Sequence, residues 1–320
     1  MNKATVRQHY VPRTYLKHFA NNVNEKFFLN TLFQDKEDII EVNIDNLALE
    51  KHLYTIETFD GDRNQKVETF YSKIETNYNE LYSKLNSPNA IYLTIEEKQN
   101  LILFVISLYL RTPTTHSSIV EHYETIIDQA HHLSNSKKVT INNYLVLDFE
   151  NKTVEQIKKE FKLISKVEFN LESLSTLMTF SKLRFDNTIF IAELSDNENF
   201  ITSDNPVIVP NNKNTNDNNI YLPINNKKIL ILVVPNGDNV ANSLLVPKMQ
   251  LENRESKEAE RLYNGFQLEN SIRTIFGKQD AIIKSVNQMS EFDKLQNTNF
   301  CKYKIGPAAN TAQKAMPGDI

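Results

Sequence analysis

Between positions 63 and 85 the apolar residues Val67, Phe70, Ile74, Tyr78 and Leu81 recur at steps of three and four. That spacing lines one face of an α-helix and predicts a helix across the stretch. A denser run follows from Leu101 to Leu110, broken only by Ser107. Thr94 and Glu97 stand before it as a capping-box pair, so a helix over 95–111 is expected. Pro113 ends it, because the residue before a proline avoids helical backbone. Weaker helical patterns cover 117–133, 154–164 and 171–183. Nearer the N-terminus, 12–20 reads as a short helix with Pro12 suited to its first turn. Positions 26–33 and 38–42 have the apolar density of two strands, paired as a hairpin.

The pattern changes after position 187. Segments 188–193, 200–208, 220–224 and 228–234 are short and rich in Ile, Val, Leu and Phe, which predicts four strands of one antiparallel sheet. An Asn-rich loop, 211–219, joins two of them. Positions 257–276 return to helix, with Gly277 as its C-cap. The expected class is α+β, mainly helical with an antiparallel sheet in the second half. No linker composition separates domains, so 1–306 reads as a single large domain and 307–320 as a flexible tail.

Composition narrows the function classes. A net charge of -4 argues against a chain that is basic overall, so any nucleic-acid contact must come from a local patch. With one cysteine, Cys301, no intramolecular disulfide can form, which favours a reducing cytoplasmic setting. The ten-residue apolar run is half the length that spans a membrane, and the polar N-terminus lacks a secretory signal, so no membrane association is expected. Six glycines leave little material for a phosphate-cradling loop, and neither a P-loop nor a zinc-ligand spacing is present.

Candidate chemistry gathers in two strings. The first is Gln8-His9-Tyr10-Val11-Pro12-Arg13, followed by Tyr15, Leu16, His18 and Phe19. Histidine serves as acid, base or ligand near neutral pH, and arginine offers a planar fork to phosphate. The same residues also suit a structural role, His9 and Tyr10 pinning the N-terminus to the core. The second string is Thr202-Ser203-Asp204-Asn205-Pro206-Val207. Asp and Asn before proline form turns readily. A strand end could equally deliver Asp204 into a cleft as a metal ligand or general base, with Asn205 beside the substrate. Arg111 closes the apolar helix, where it complements the helix dipole or reaches a bound anion or Asp204. Glu68 and Glu75 share a helical face two turns apart, as solvated residues or as metal carboxylates.

Together with Arg111-Thr112-Pro113, these two strings resemble the family catalogued as domain of unknown function 4238. Ile220-Tyr221-Leu222-Pro223-Ile224, and the late helix with Asn264 and Arg273, fit its layout more loosely. The resemblance spans about 8–277. It implies that His9, Arg13, Arg111 and Asp204 match recurrent polar positions of the family, which would converge on one pocket.

Two functional expectations result. One is a nuclease-like hydrolase acting on a phosphate-containing substrate, nucleic acid or nucleotide, in microbial or antiviral defence. His9 would be its general acid or base. Arg13 and Arg111 would hold phosphate, and Asp204 with Glu75 would bind a divalent metal. The other is a non-enzymatic binding or regulatory module, in which these residues form a buried polar network.

Overall fold

The structure is a computed structural model, and it describes residues 6–57, 63–133, 138–141, 145–210, 218–235 and 243–306. The Asn-rich loop, apart from its last two residues, and the expected tail at 307–320 lie outside the described residues. Seven α-helices are described: α1 (Arg13–Leu16), α2 (Lys66–Asn86), α3 (Ile95–Leu110), α4 (Pro113–Leu133), α5 (Val154–Leu183), α6 (Asn253–Asn270) and α7 (Gln279–Gln296). Helix makes up about 46% and strand about 23%, a mixed α+β composition.

Helix α3 is the central element. Its cap is the expected one: Thr94 Oγ1 accepts from the Glu97 amide, and Glu97 Oε2 accepts from the Thr94 amide at 2.7 Å. Leu101, Ile102 and every residue from Phe104 to Leu108 are buried, because α2 and α5 pack on it from different sides. The Tyr78 ring of α2 stacks on Phe104 at 3.7 Å. Helix α4 starts at Pro113, the residue that ends α3. Helix α5 runs unbroken through 165–170, where two helices were expected. That stretch is polar, but it contains no glycine or proline to stop a helix.

The strands form two larger sheets. The first has the order Ile220–Pro223, Lys228–Val233, Thr188–Glu193, Lys248–Gln250, with the last pair parallel and the others antiparallel. The second joins Thr202–Ser203 to Thr274–Gly277, and that strand to Lys26–Phe33, which also pairs with Asn21–Val23 and Ile40–Asn43. The hairpin expected at 26–42 is therefore present. The strands nevertheless come from both halves of the chain, not from the second alone.

Two expectations change in the later part. Only Thr202–Ser203 of segment 200–208 is a strand, and it belongs to the second sheet. The first sheet is reached at Ile208, which exchanges backbone bonds of 2.8 and 2.9 Å with Tyr221. The helix expected over 257–276 stops at Asn270, and Thr274–Gly277 is a strand. Gly277 is thus no C-cap. A Cβ there would stand 3.0 Å from Cγ2 of Ile201, so glycine permits close approach of the adjoining segment.

The main core joins Val11, Tyr15, Leu16 and Phe19 of the N-terminal segment to α2, α3 and the first sheet. This accounts for the apolar density of the segment: Tyr10, Val11, Tyr15, Leu16 and Phe19 are interior. A second cluster, Leu32, Ile201, Leu268, Ile275, Ile282 and Val286, lies between the second sheet, α6 and α7.

Candidate functional site

The N-terminal segment enters along strand Arg7–His9, which pairs with Leu49–Lys51. Gln8 is fully buried. Its amide accepts from the Tyr54 backbone at 2.6 Å and donates to Thr55 Oγ1 at 3.2 Å. These bonds fix His9 in place. The His9 side chain is half-buried, and its Nε2 lies out of contact with water and has no hydrogen-bond partner. Burial, then the charge of Arg13, lowers its pKa to about 4, so the imidazole is neutral at physiological pH. Arg13 lies at the surface and donates to Asp45 Oδ1 at 2.7 Å. Arg7 donates to Asn46 Oδ1 at 2.8 Å.

Arg111 is sealed inside. Its Nη1 donates to Glu75 Oε1 at 2.9 Å, and its guanidinium lies over the Tyr71 ring, 5.0 Å from the centroid. Nε and Nη2 have no partner. Nearby, burial and then the Glu75 charge push Glu68 up to about 7. The buried Tyr54 hydroxyl is coupled electrostatically to Arg111 and donates to the His9 carbonyl at 3.5 Å. Arg111 thus meets neither Asp204 nor a surface anion. Its partner is the carboxylate expected to hold metal.

Asp204 has a different setting again. Oδ1 accepts the Ile272 amide and Oδ2 the Arg273 amide, each at 2.8 Å. These two N–H groups are therefore unavailable to an α-helix, which is why α6 ends before them. The carboxylate is buried, and burial outweighs its hydrogen bonds to raise the pKa to about 6. The charge of Asp204 also helps raise the pKa of Tyr10, so the two family strings approach each other here. They meet directly at Tyr15, whose hydroxyl donates to the Pro223 carbonyl at 2.7 Å and lies 2.8 Å from Thr202 Oγ1. Asn205 Nδ2 donates to the Asn270 carbonyl at 3.0 Å.

A row of polar residues on α6 completes this region. Ser256 Oγ accepts the Ser195 amide, Glu260 Oε1 the Asn199 amide, and Asn264 Oδ1 the Ile201 amide, at 2.9, 2.9 and 3.0 Å. Asn264 Nδ2 donates to the Asn199 carbonyl and to Ser285 Oγ. Gln267 accepts from Ser203 Oγ and donates to the Pro206 carbonyl. The side chains of one helix thus serve segment 195–206 in place of a neighbouring strand. Sequence reasoning passed over this row, apart from Asn264. Its signal was polar residues at 256, 260, 264 and 267, a helical period on a face that turns out to be buried.

The expected site residues therefore occupy three settings. His9 and Arg13 adjoin the surface near Asp45. Arg111 pairs with Glu75, and Asp204 binds backbone. The N-terminal segment touches all three, but the charged groups do not share partners. Among the described residues, no group of three or more His, Cys, Asp or Glu side chains could hold a metal ion. Nor is any helix among them long and apolar enough to cross a membrane.

The family described as "Protein of unknown function (DUF4238)" matches residues 7–281. The chain belongs to this family. Both strings, Gln8 to Arg13 and Thr202 to Val207, fall within the matched region. No curated protein and no solved structure matches the chain significantly.

Proposed function

We propose that the protein is a non-enzymatic binding or regulatory module. In this reading the recurrent polar residues hold the N-terminal segment, the sheets and α6 together, and recognition takes place on the outer surface. The observation that carries it is the setting of Asp204, whose two oxygens each accept a backbone N–H at 2.8 Å while the side chain is buried. A carboxylate tied to backbone through both oxygens and shut away from water offers no open face to a metal or substrate. Asp204→Ala strips two part-buried amides of their acceptor and is expected to cost about 1–3 kcal/mol of stability. Urea unfolding measures this. A variant as stable as the wild type that has lost a hydrolytic activity would overturn the reading.

The second reading is a nuclease-like hydrolase acting on a phosphate-containing substrate in microbial defence, and His9 favours it. A neutral imidazole is the form a general base requires, and the charges of Arg7 and Arg13 act on it from nearby; a local opening that exposes its shielded Nε2 to substrate is part of this reading. The site would then be His9 with the two arginines, without Asp204 and Glu75 as a metal pair. Assays of the purified chain on single-stranded and duplex nucleic acid and on nucleotides separate the readings. Turnover abolished by His9→Asn at an unchanged melting temperature selects the hydrolase.

A further inference from the structure

Between α6 and α7 lies a cleft of about 240 Å³, lined in part by Leu262, Gly265, Phe266, Met289, Phe292 and Phe300. Leu262 is 49% exposed, Phe292 41% and Phe300 43%, so three large apolar side chains meet water together. Exposed apolar residues scattered singly need no explanation, whereas a cluster marks a contact surface. Gly265 lies between them on α6. A Cβ built on it meets nothing within 4 Å, so no packing inside the molecule requires glycine there. Glycine in a helix interior is nonetheless unfavourable relative to alanine.

One turn to either side of Gly265 stand Arg261 and Glu269, in the same row of the helix. Both border the cleft and both are exposed. Neither takes part in the ion pairs of the described residues. The row thus reads cation, bare backbone, anion. The opposite face of α6, with Ser256, Glu260, Asn264 and Gln267, is already committed to the interior.

We infer that this face binds a second copy of the chain, with α6 antiparallel to α6 about a two-fold axis through Gly265. Such an axis sets Arg261 of each copy against Glu269 of the other, forming two equivalent ion pairs. A parallel arrangement would set arginine on arginine, so the charges select the antiparallel one. Gly265 lets the two helices approach closely. Leu262, Phe292 and Phe300 of both copies cover the seam and lose their contact with water. A small apolar ligand would fill the cleft but would leave the symmetric charge pair without a role.

Sedimentation of the full chain over a concentration series tests this. The wild type is expected to dimerise reversibly. Arg261→Glu replaces both ion pairs with like-charge contacts and weakens the dimer by at least ~100-fold. The double variant Arg261→Glu/Glu269→Arg restores the dimer, because the pairs reform with their order reversed. Gly265→Leu, at a position where a Cβ meets nothing within 4 Å in one copy, holds two copies apart and yields monomer. Circular dichroism verifies that these surface variants stay folded. A monomeric wild type, a dimer indifferent to Arg261→Glu or to Gly265→Leu, or a double variant that stays monomeric each overturns the inference. None of these outcomes bears on the setting of Asp204, so this inference and the proposed function stand or fall separately.

Discussion

Asp204, with its pKa near 6, binds its proton more tightly in the folded chain than in the unfolded one. Its contribution to stability is therefore fully present below about pH 4 and is lost as pH rises to about 6. Relative to Asp204→Asn, which does not titrate, the wild type should lose roughly 2–3 kcal/mol of its advantage between pH 4 and pH 7. Urea unfolding at the two pH values measures this, and an advantage that grew with pH would contradict the burial argument. His18 has the opposite sign. Burial lowers its pKa to about 3, so it stays neutral when folded and takes up a proton on unfolding in acid. The stability it contributes is present above about pH 6.5 and is lost as pH falls. His18→Phe keeps the ring over Tyr82 and removes the titration, so its melting temperature should rise relative to the wild type from pH 7 to pH 5. At Arg111 the expected effect is uncompensated charge. Glu75→Gln should cost roughly 2–4 kcal/mol, somewhat below a fully buried pair because Glu75 is partly exposed. A loss under ~1 kcal/mol would mean that solvent already screens the pair. The sequence marked Asp204 and Arg111 as unusual but could not name their partners. Ile272 and Glu75 are 68 and 36 residues away, brought near only by packing.

The elements were legible in proportion to how local their causes are. Helix α3 was read to within a residue because its cap and its apolar run adjoin in sequence. The expected helix at 63–85 became Lys66–Asn86 for the same reason, a strong period of three and four. Helix α6 was read too long because Ile272, Ile275 and Phe276 continue an apolar spacing, while the signal that ends it comes from Asp204, far back in the chain. Helix α7 had no counterpart in the sequence reading. The polar row of α6 gives the sharpest element-scale prediction. Asn264→Leu leaves the Ile201 amide, the Asn199 carbonyl and Ser285 Oγ without this partner and should cost at least ~2 kcal/mol. Hydrogen exchange should show lost protection at Ile201 first, with α3 unaffected. Uniform loss across both would mean that segment 195–206 does not open as a separate unit.

Across the whole molecule, the N-terminal segment ties distant parts together. Tyr15 reaches Thr202 and Pro223, which belong to different sheets, and Lys26–Phe33 pairs with Thr274–Gly277 near the other end of the chain. Tyr15→Phe keeps the ring packed against Phe19 but removes the hydroxyl that serves both sheets. A loss of about 1–3 kcal/mol in one cooperative transition is expected from chemical denaturation followed by circular dichroism. Loss of N-terminal protection without a change in the main transition would show that the segment is dispensable to the rest. Family membership and the principal helices were legible in the residues alone, because periodicity, caps and motifs are properties of neighbouring residues. The tertiary structure alone decided that the strands divide into two sheets drawn from both halves. It also decided that Arg111 pairs with Glu75, that Asp204 holds backbone, and that α6 turns a polar row inward and an apolar cleft outward. Each of those depends on which distant groups share a desolvated space, and no local pattern encodes that.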